Sequence, residues 1–201
     1  MCNLKTLTII LILFTSAPLL ALEPLQDIQQ FNVICSESGY PIICPKKGGL
    51  KPKACSTEAR YSFSGTEIVP GKYYFGLDPL CENREDGCMS LHFYPDDASI
   101  LPQFKNFKYS TFEINIINYR EAAQELIGKP LSDKIISATK TKIKETAEGV
   151  DFGSVMAANG SATVVITDYY MEICCDSPWT SARILQVKKK SMPQQIEYKP
   201  F

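Results

Sequence analysis

The sequence predicts an α+β fold with a mainly antiparallel sheet, in which two helices are inserted between the N-terminal and the C-terminal strands. Three observations support this prediction. Runs rich in β-branched and aromatic residues occur in the first half of the chain and again after residue 161. Between them, residues 119–148 have an Ala-, Glu-, Lys- and Ile-containing composition that is typical of helices. Strand, helix and parallel strand do not alternate regularly along the chain, which disfavours a parallel sheet.

Residues 1–21 have the layout of a secretory signal peptide. Lys5 supplies a positive charge, an apolar run follows, and the small residue Ala21 precedes the predicted cleavage site. Polar residues and Pro18 interrupt the run, which is shorter than the roughly 20 apolar residues that a membrane-spanning helix needs. We therefore expect an exported protein, periplasmic or secreted, whose residues 22–201 form a single globular domain without a membrane span.

The composition of the chain is that of an ordinary globular protein. Hydrophobic residues make up 45% and charged residues 21% of the sequence, and the formal net charge is −1. A protein that binds nucleic acid usually carries a basic excess, which is absent from this sequence. We therefore expect no nucleic-acid partner.

Export changes how the cysteines are interpreted, because thiols outside the cytosol tend to form disulfides. Of the 8 cysteines, Cys2 lies in the leader, and the others are Cys35, Cys44, Cys55, Cys81, Cys88, Cys174 and Cys175. We expect the first two to form one local pair and the fourth and fifth another, while the third bonds to one of the adjacent pair at the end. This is one connectivity among many, and it predicts a disulfide-stapled fold. The odd count leaves one thiol unpaired, so a disulfide-linked dimer is one possible outcome.

The first half of the chain is predicted to consist of strands and loops. Residues 35–60 are rich in Cys, Pro, Gly and Lys, a composition that favours a long loop. Pro70 and Gly71 predict a turn between two of the strands. The predicted strands are residues 31–34, 61–64, 72–76, 90–94 and 109–117.

The helical region is bounded by recognisable signals. A first helix is predicted over residues 119–127, where Gly128 follows as a C-terminal signal. A second helix is predicted to begin at Ser132 or Asp133 and to end near Glu148. Its buried stripe is predicted to contain Ile135, Ile136, Thr139 and Ile143.

The last third of the chain returns to a sheet. Residues 161–174 and 182–189 are predicted to form antiparallel strands. The sequence Asn159-Gly160-Ser161, which is also a glycosylation acceptor, favours a turn before the first of these strands. The tail from Met192 is predicted to be irregular.

His92 is the only histidine, so any mechanism that uses an imidazole must be built around it. In the predicted strand it shares the more polar face with Ser90 and Tyr94, and Asp96 or Asp97 could orient its ring. A small secreted hydrolase built around His92 is therefore one alternative. The chain has no Gly-x-Ser-x-Gly motif, which does not favour this alternative.

Soft metal ligands form a second alternative. Cys88, Met89 and His92 lie close together in sequence, and sulfur with one imidazole suits Cu(I) in a periplasmic copper-binding protein. This site would require a reduced thiol in an oxidising compartment. The main prediction therefore contains no cofactor.

The function predicted first is the recognition of another protein by a non-enzymatic, exported domain, because stabilising features are frequent and catalytic motifs are scarce. Two surface features are candidate binding sites: the loop between Cys81 and Cys88, with Glu82, Glu85 and Asp86, and the turn that carries Trp179. Tryptophan is enriched among residues that dominate binding energy at interfaces.

Overall fold

A computed structural model of the chain describes residues 42–43, 48–55, 60–78, 88–105, 111–142, 144–146, 149–151, 155–174 and 177–198. It confirms an α+β fold in which a large, mainly antiparallel sheet is combined with two helices. The predicted leader and the predicted strand over residues 31–34 lie outside the described residues.

The secondary structure consists of short and long strands on both sides of a helical pair. The helices are α1 (Tyr119–Ile127) and α2 (Lys129–Lys142), and a single 3-10 turn covers Ala98–Ile100. The strands are β1 (Ile42–Ile43), β2 (Leu50–Cys55), β3 (Arg60–Gly65), β4 (Glu67–Leu77), β5 (Met89–Pro95), β6 (Gln103–Phe104), β7 (Ile114–Ile116), β8 (Lys144–Thr146), β9 (Gly149–Asp151), β10 (Val155–Cys174), β11 (Ser177–Lys190) and β12 (Gln194–Tyr198).

Strand pairing closes the sheet into a ring. The long strand β10 pairs along one edge with β4, which is followed by β5, β7 and β11, and β11 pairs back with the other edge of β10. All of these pairings are antiparallel except the short one between β7 and β11. Strand β3 pairs with the C-terminal part of β10, and β2 pairs with β3. Strand β12 pairs with the N-terminal part of β10.

The predicted turn at Pro70 and Gly71 is wrong, because both residues lie inside β4. Pro70 pairs with Thr163 of β10, and its carbonyl accepts a hydrogen bond from the Asp96 backbone. The chain instead changes course between β3 and β4, opposite an irregular part of β10 where Asp168 has a φ of 49°. The bend therefore lies between β3 and β4, opposite the bulge in the partner strand β10, and not at the Pro-Gly sequence.

Helix α1 and its end at Gly128 match the prediction, but α2 begins earlier and ends earlier than predicted. Pro130 lies in the first turn of α2. Backbone N–H groups in the first turn have no partner within the helix, so the missing N–H of proline costs no hydrogen bond there. The buried stripe is present at Ile135 and Thr139, and the Thr139 hydroxyl donates to the Ile135 carbonyl. Helix α1 packs on β5 and β11, and α2 packs on β4 and β10.

Other boundaries also differ from the predictions. Within the segment predicted to be a long loop, residues 42–43 and 50–55 form strands. The predicted strand over residues 109–117 is described only as the short β7. The tail predicted to be irregular contains β12, which is held by its pairing with β10.

The predicted turn at Asn159-Gly160-Ser161 is also wrong, because these residues lie within β10. They pair with residues 72–74 of β4, so the acceptor asparagine is part of a continuous strand. A side chain at Gly160 would approach the Tyr73 hydroxyl to 2.6 Å. The glycine therefore allows the Tyr73 ring to lie across β10 and does not mark a turn.

The core is rich in aromatic and aliphatic side chains from every strand of the ring. The inward positions of β4, β5 and β10 alternate with outward ones, as expected of strands. Two helices add Ala123, Leu126 and Ile135 to the same cluster. The largest fully buried side chains are Tyr61, Tyr73, Tyr169, Phe75, Phe93, Leu77, Met89, Leu91, Leu101, Ile114 and Ile116.

Tyr73 provides a first test of this packing. Its buried hydroxyl has no hydrogen-bond partner among the described residues, and burial raises its pKa. We expect Tyr73→Phe to raise the free energy of unfolding by about 1 kcal/mol, because an unpaired polar group is removed from the core. Tyr169→Phe is the matched control, since the Tyr169 hydroxyl donates to the Pro102 carbonyl at 2.9 Å. Urea unfolding should show a higher free energy of unfolding than the wild type for Tyr73→Phe and a lower one for Tyr169→Phe. Equal losses of stability in the two variants would contradict the assignment of an unpaired hydroxyl to Tyr73.

Candidate functional site

Strand β5 places the only histidine on the outward face of the sheet. Met89, Leu91 and Phe93 point into the core, and Ser90, His92 and Tyr94 occupy the alternating positions. This arrangement confirms the predicted sharing of one face by the three polar residues.

Cross-strand pairing extends this face into a polar row, which we define as Gln194, Asn159, Tyr74, His92 and Asn115. These residues are directly opposite one another in β12, β10, β4, β5 and β7, in that order. Directly opposed residues place their side chains on the same face of an antiparallel pair. The polar row is therefore a property of strand register, which joins segments that are far apart in sequence.

His92 bridges two other polar side chains. Its Nε2 lies 2.6 Å from the Ser90 Oγ. Its Nδ1 lies 2.6 Å from Oε1 of Glu113, the residue that precedes β7. The second contact is a short electrostatic one and not a well-aligned hydrogen bond. The side chain of His92 is 17% exposed and that of Glu113 is 42% exposed, so these two members of the cluster reach the surface.

The electrostatics of this cluster keep Glu113 ionised. The short contact with His92 is the main reason that the pKa of Glu113 lies below its ordinary value, and its partial burial opposes this effect. Charge on His92 and the Tyr94 hydroxyl add to the lowering. Burial, followed by the charge of Glu113 and the hydrogen bond to it, raises the pKa of Tyr94. The Tyr94 hydroxyl is therefore protonated at neutral pH and can donate to the carboxylate.

Glu113, not Asp96 or Asp97, is the acidic partner of His92. Asp97 instead caps the 3-10 turn by accepting from the Ser99 backbone at 2.9 Å. The Thr180 hydroxyl donates to the backbone carbonyl of Glu113 and ties this residue to β11. Glu113 lies in a predicted strand with Asn115, but only the pairing of β5 with β7 brings it to His92. The sequence contains no local signal for that pairing.

Tyr74 is a further residue that sequence reasoning missed. Its ring is tilted against that of His92, with 6.4 Å between ring centroids. Its hydroxyl occupies the space beside Gly76, where a Cβ would approach it to 2.6 Å. Gly76 is directly opposite Ser90 in the β4–β5 pairing. The absence of a side chain at Gly76 therefore allows the Tyr74 hydroxyl to lie over β4 at the position opposite Ser90.

An open groove of about 680 Å³ lies beside this cluster. Two tyrosines of the outward face, Tyr74 and Tyr94, line it together with Lys72. Met192, which is almost fully exposed, lies at its edge. The other lining residues are Tyr73, Asn159, Gly160, Ser161, Ser191 and Gln194.

The structure does not bring the predicted copper ligands together. Met89 is buried on the core face of β5, whereas His92 is on the outward face. Cys88 is disulfide-bonded, which leaves no free thiol at that position. Within the described ranges, no group of three His, Cys, Asp or Glu side chains is placed to hold a metal ion.

The remaining predicted residues are only partly described. Cys35, Cys44, Cys81, Cys175, Glu82, Glu85 and Asp86 lie outside the described residues, and Cys55 and Cys174 are described only as strand positions. The backbone of Asp78 donates to the Cys88 carbonyl at 2.6 Å, which continues the pairing of β4 with β5 by one step beyond Leu77 and Met89. The disulfide connectivity stays a prediction.

Trp179 is exposed, as its predicted binding role requires, but it does not line the groove. It lies in β11 opposite Glu172, which contacts Arg60 at 3.6 Å. The turn predicted to carry Trp179 is wrong, because Ser177 and Pro178 are already part of this strand. The structure therefore separates Trp179 from the tyrosine-lined site.

Neither helix in the described part of the chain is long and apolar enough to cross a bilayer. Comparison with protein-family models, with curated proteins and with solved structures finds no match. The functional argument consequently rests on the chemistry of the groove and of the His92 cluster.

Proposed function

We propose that the protein is an exported domain that recognises another protein, and that the groove lined by Tyr74, Tyr94 and Lys72 is the recognition site. The observation that carries this proposal is the combination of two tyrosine rings with amide and lysine side chains in one open groove. Tyrosine offers apolar area and a hydrogen-bonding hydroxyl at a low cost in conformational entropy. Such a surface suits a peptide segment, which presents both backbone polar groups and side chains.

The charge near the groove indicates the chemistry of the partner. Lys72 lines the groove, and a smaller adjoining pocket is lined by Lys189 and Lys190. Ser161 and Ser191 line both pockets, so the two adjoin each other. Asp96 also lines the smaller pocket, but the lysines outnumber it. We propose that the partner presents an extended acidic segment, because carboxylates complement this set of cations.

Export and disulfide stabilisation belong to the same proposal. The disulfide at Cys88 supports a setting in which thiols are oxidised. We propose Cys81 as its partner, which would close the loop at the end of the β4–β5 hairpin. The odd cysteine that remains would be available for a disulfide-linked dimer.

The recognition site can be tested with a phage-displayed library of random dodecapeptides selected on the full-length protein. We expect selected peptides to be rich in Asp and Glu, and their affinity to fall about tenfold or more in both Tyr94→Ala and Lys72→Glu. Raising the ionic strength should weaken binding, because the complementary charges are exposed to solvent.

Trp179→Ala is the matched control, since it removes an exposed aromatic residue outside the groove. It should leave the affinity unchanged. Peptides that bind the groove variants normally but lose affinity for Trp179→Ala would instead place recognition at the exposed face of β11 around Trp179. Selection without any acidic preference would contradict the proposed partner chemistry.

A further inference from the structure

Ser90, His92 and Glu113 are arranged as a hydroxyl, an imidazole and a carboxylate in series, which is the arrangement that activates a serine nucleophile. The serine hydroxyl contacts Nε2, and the carboxylate contacts Nδ1 on the other side of the same ring. An ionised carboxylate favours the tautomer that carries its proton on Nδ1. Nε2 is then the acceptor for the serine proton, which is the role of a general base.

The cluster also contains a hydroxyl that could stabilise negative charge. Tyr74 lies against the His92 ring, and its hydroxyl is beside Gly76, directly across the strand pair from Ser90. Backbone N–H groups within a regular sheet are engaged in strand pairing, so a side-chain donor is the available means to bind an oxyanion here. The Tyr74 hydroxyl lies beside Gly76, the residue opposite Ser90, and is the side-chain donor that we assign to this role.

The burial of Ser90 restricts the substrate. Ser90 is only 5% exposed, whereas His92 and Glu113 open to the surface next to the groove. Tyr74 belongs both to this cluster and to the wall of the groove. A substrate that reaches Ser90 from the groove must therefore insert a small acyl group, with its larger leaving group remaining in the groove.

We propose that Ser90, His92 and Glu113 form a hydrolytic site for carboxylic esters with short acyl groups. Ser90 Oγ attacks the carbonyl carbon as its proton moves to Nε2 of His92, and Tyr74 donates to the carbonyl oxygen. The ester bond then breaks, and the alcohol leaves with the proton from Nε2. Water attacks the acyl-serine, its proton passes through Nε2 back to Ser90, and the carboxylic acid is released.

This activity goes beyond recognition of a protein segment, and it does not depend on that role. Glu113 is a positioning residue in the scheme, because it acts on the ester through His92. Tyr94 helps to hold Glu113, since the two side chains are hydrogen-bonded to each other. The nucleophile and the base are the residues whose loss should have the largest effect.

The experiment combines covalent labelling of the full chain with ester hydrolysis. An alkyl fluorophosphonate should label one serine, which mass spectrometry should identify as Ser90. Hydrolysis of p-nitrophenyl acetate should fall by about a thousandfold or more in Ser90→Ala and in His92→Gln. Tyr74→Phe should lower kcat about a hundredfold with little change in KM, as expected for a group that acts on the oxyanion.

Ser181→Ala is the matched control, because Ser181 is as buried as Ser90 and lies in the same sheet. It should hydrolyse the ester at the wild-type rate. Circular dichroism and thermal unfolding establish that each variant is folded. The proposal is overturned if the folded wild type is not labelled at Ser90, or if Ser90→Ala retains the wild-type rate.

Discussion

Phe75→Ala is expected to lower the free energy of unfolding by about 3–5 kcal/mol, the range for removing a large aromatic side chain from a core. Phe75 is fully buried in β4. It is paired with Leu91 of β5 on one side and with Ala158 of β10 on the other. Its removal leaves a cavity inside the ring, where neighbouring strands are held by hydrogen bonds on both sides. The surrounding backbone therefore has little freedom to collapse into the space.

Urea unfolding monitored by circular dichroism measures this loss. Leu185→Ala, in β11, is the matched control because the side chain of Leu185 is 59% exposed. The control should change the free energy of unfolding by less than about 0.5 kcal/mol. A Phe75→Ala variant as stable as the control would mean that the ring is not filled by a continuous core.

Local chemistry was sufficient to predict much of the architecture. The alternation of Leu91 and Phe93 with His92 located the outward face of β5. Gly128 located the end of α1, and β-branched residues located most of β10. These features depend on neighbours within a few residues, so a single sequence contains the information that determines them.

The errors have a common physical origin in long-range pairing. Pro70-Gly71 and Asn159-Gly160-Ser161 contain residues typical of turns. The first segment instead lies in β4 and pairs with β10, and the second lies in β10 and pairs with β4. The tail contains β12 because β10 offers it an unpaired edge. In each case, tertiary contacts override the local preference of the residues.

The candidate site was predictable only in part for the same reason. Ser90, His92 and Tyr94 were identified together because they alternate along one strand. Glu113 and Tyr74 come from the strands on either side of β5, and their proximity depends on register. No motif within either segment indicates that it is adjacent to the histidine.

The closure of the ring depends on a seam between β7 and β11 that is unusually short. Only Asn115 with Ser181 and Ile116 with Ala182 pair in the parallel ladder. Asn118 continues the seam with its side chain, because its amide nitrogen donates to the Ile184 carbonyl and its amide oxygen accepts from the Ile184 N–H, both at 2.9 Å. The Asn118 side chain thus makes with the Ile184 backbone the two hydrogen bonds that a further residue of β7 would otherwise make.

We expect Asn118→Ala to lower the free energy of unfolding by about 2–3 kcal/mol, because it leaves two polar groups of the buried residue Ile184 without their partner. Gln124→Ala, an exposed amide on α1, is the matched control and should change stability by less than about 0.5 kcal/mol. Hydrogen exchange of the Ile184 amide should accelerate in Asn118→Ala but not in the control. Because β7 also positions Glu113 and Asn115 beside His92, the same variant should show altered NMR signals for the His92 ring. Unchanged exchange at Ile184 and unchanged His92 signals would mean that the two-residue ladder closes the ring without Asn118.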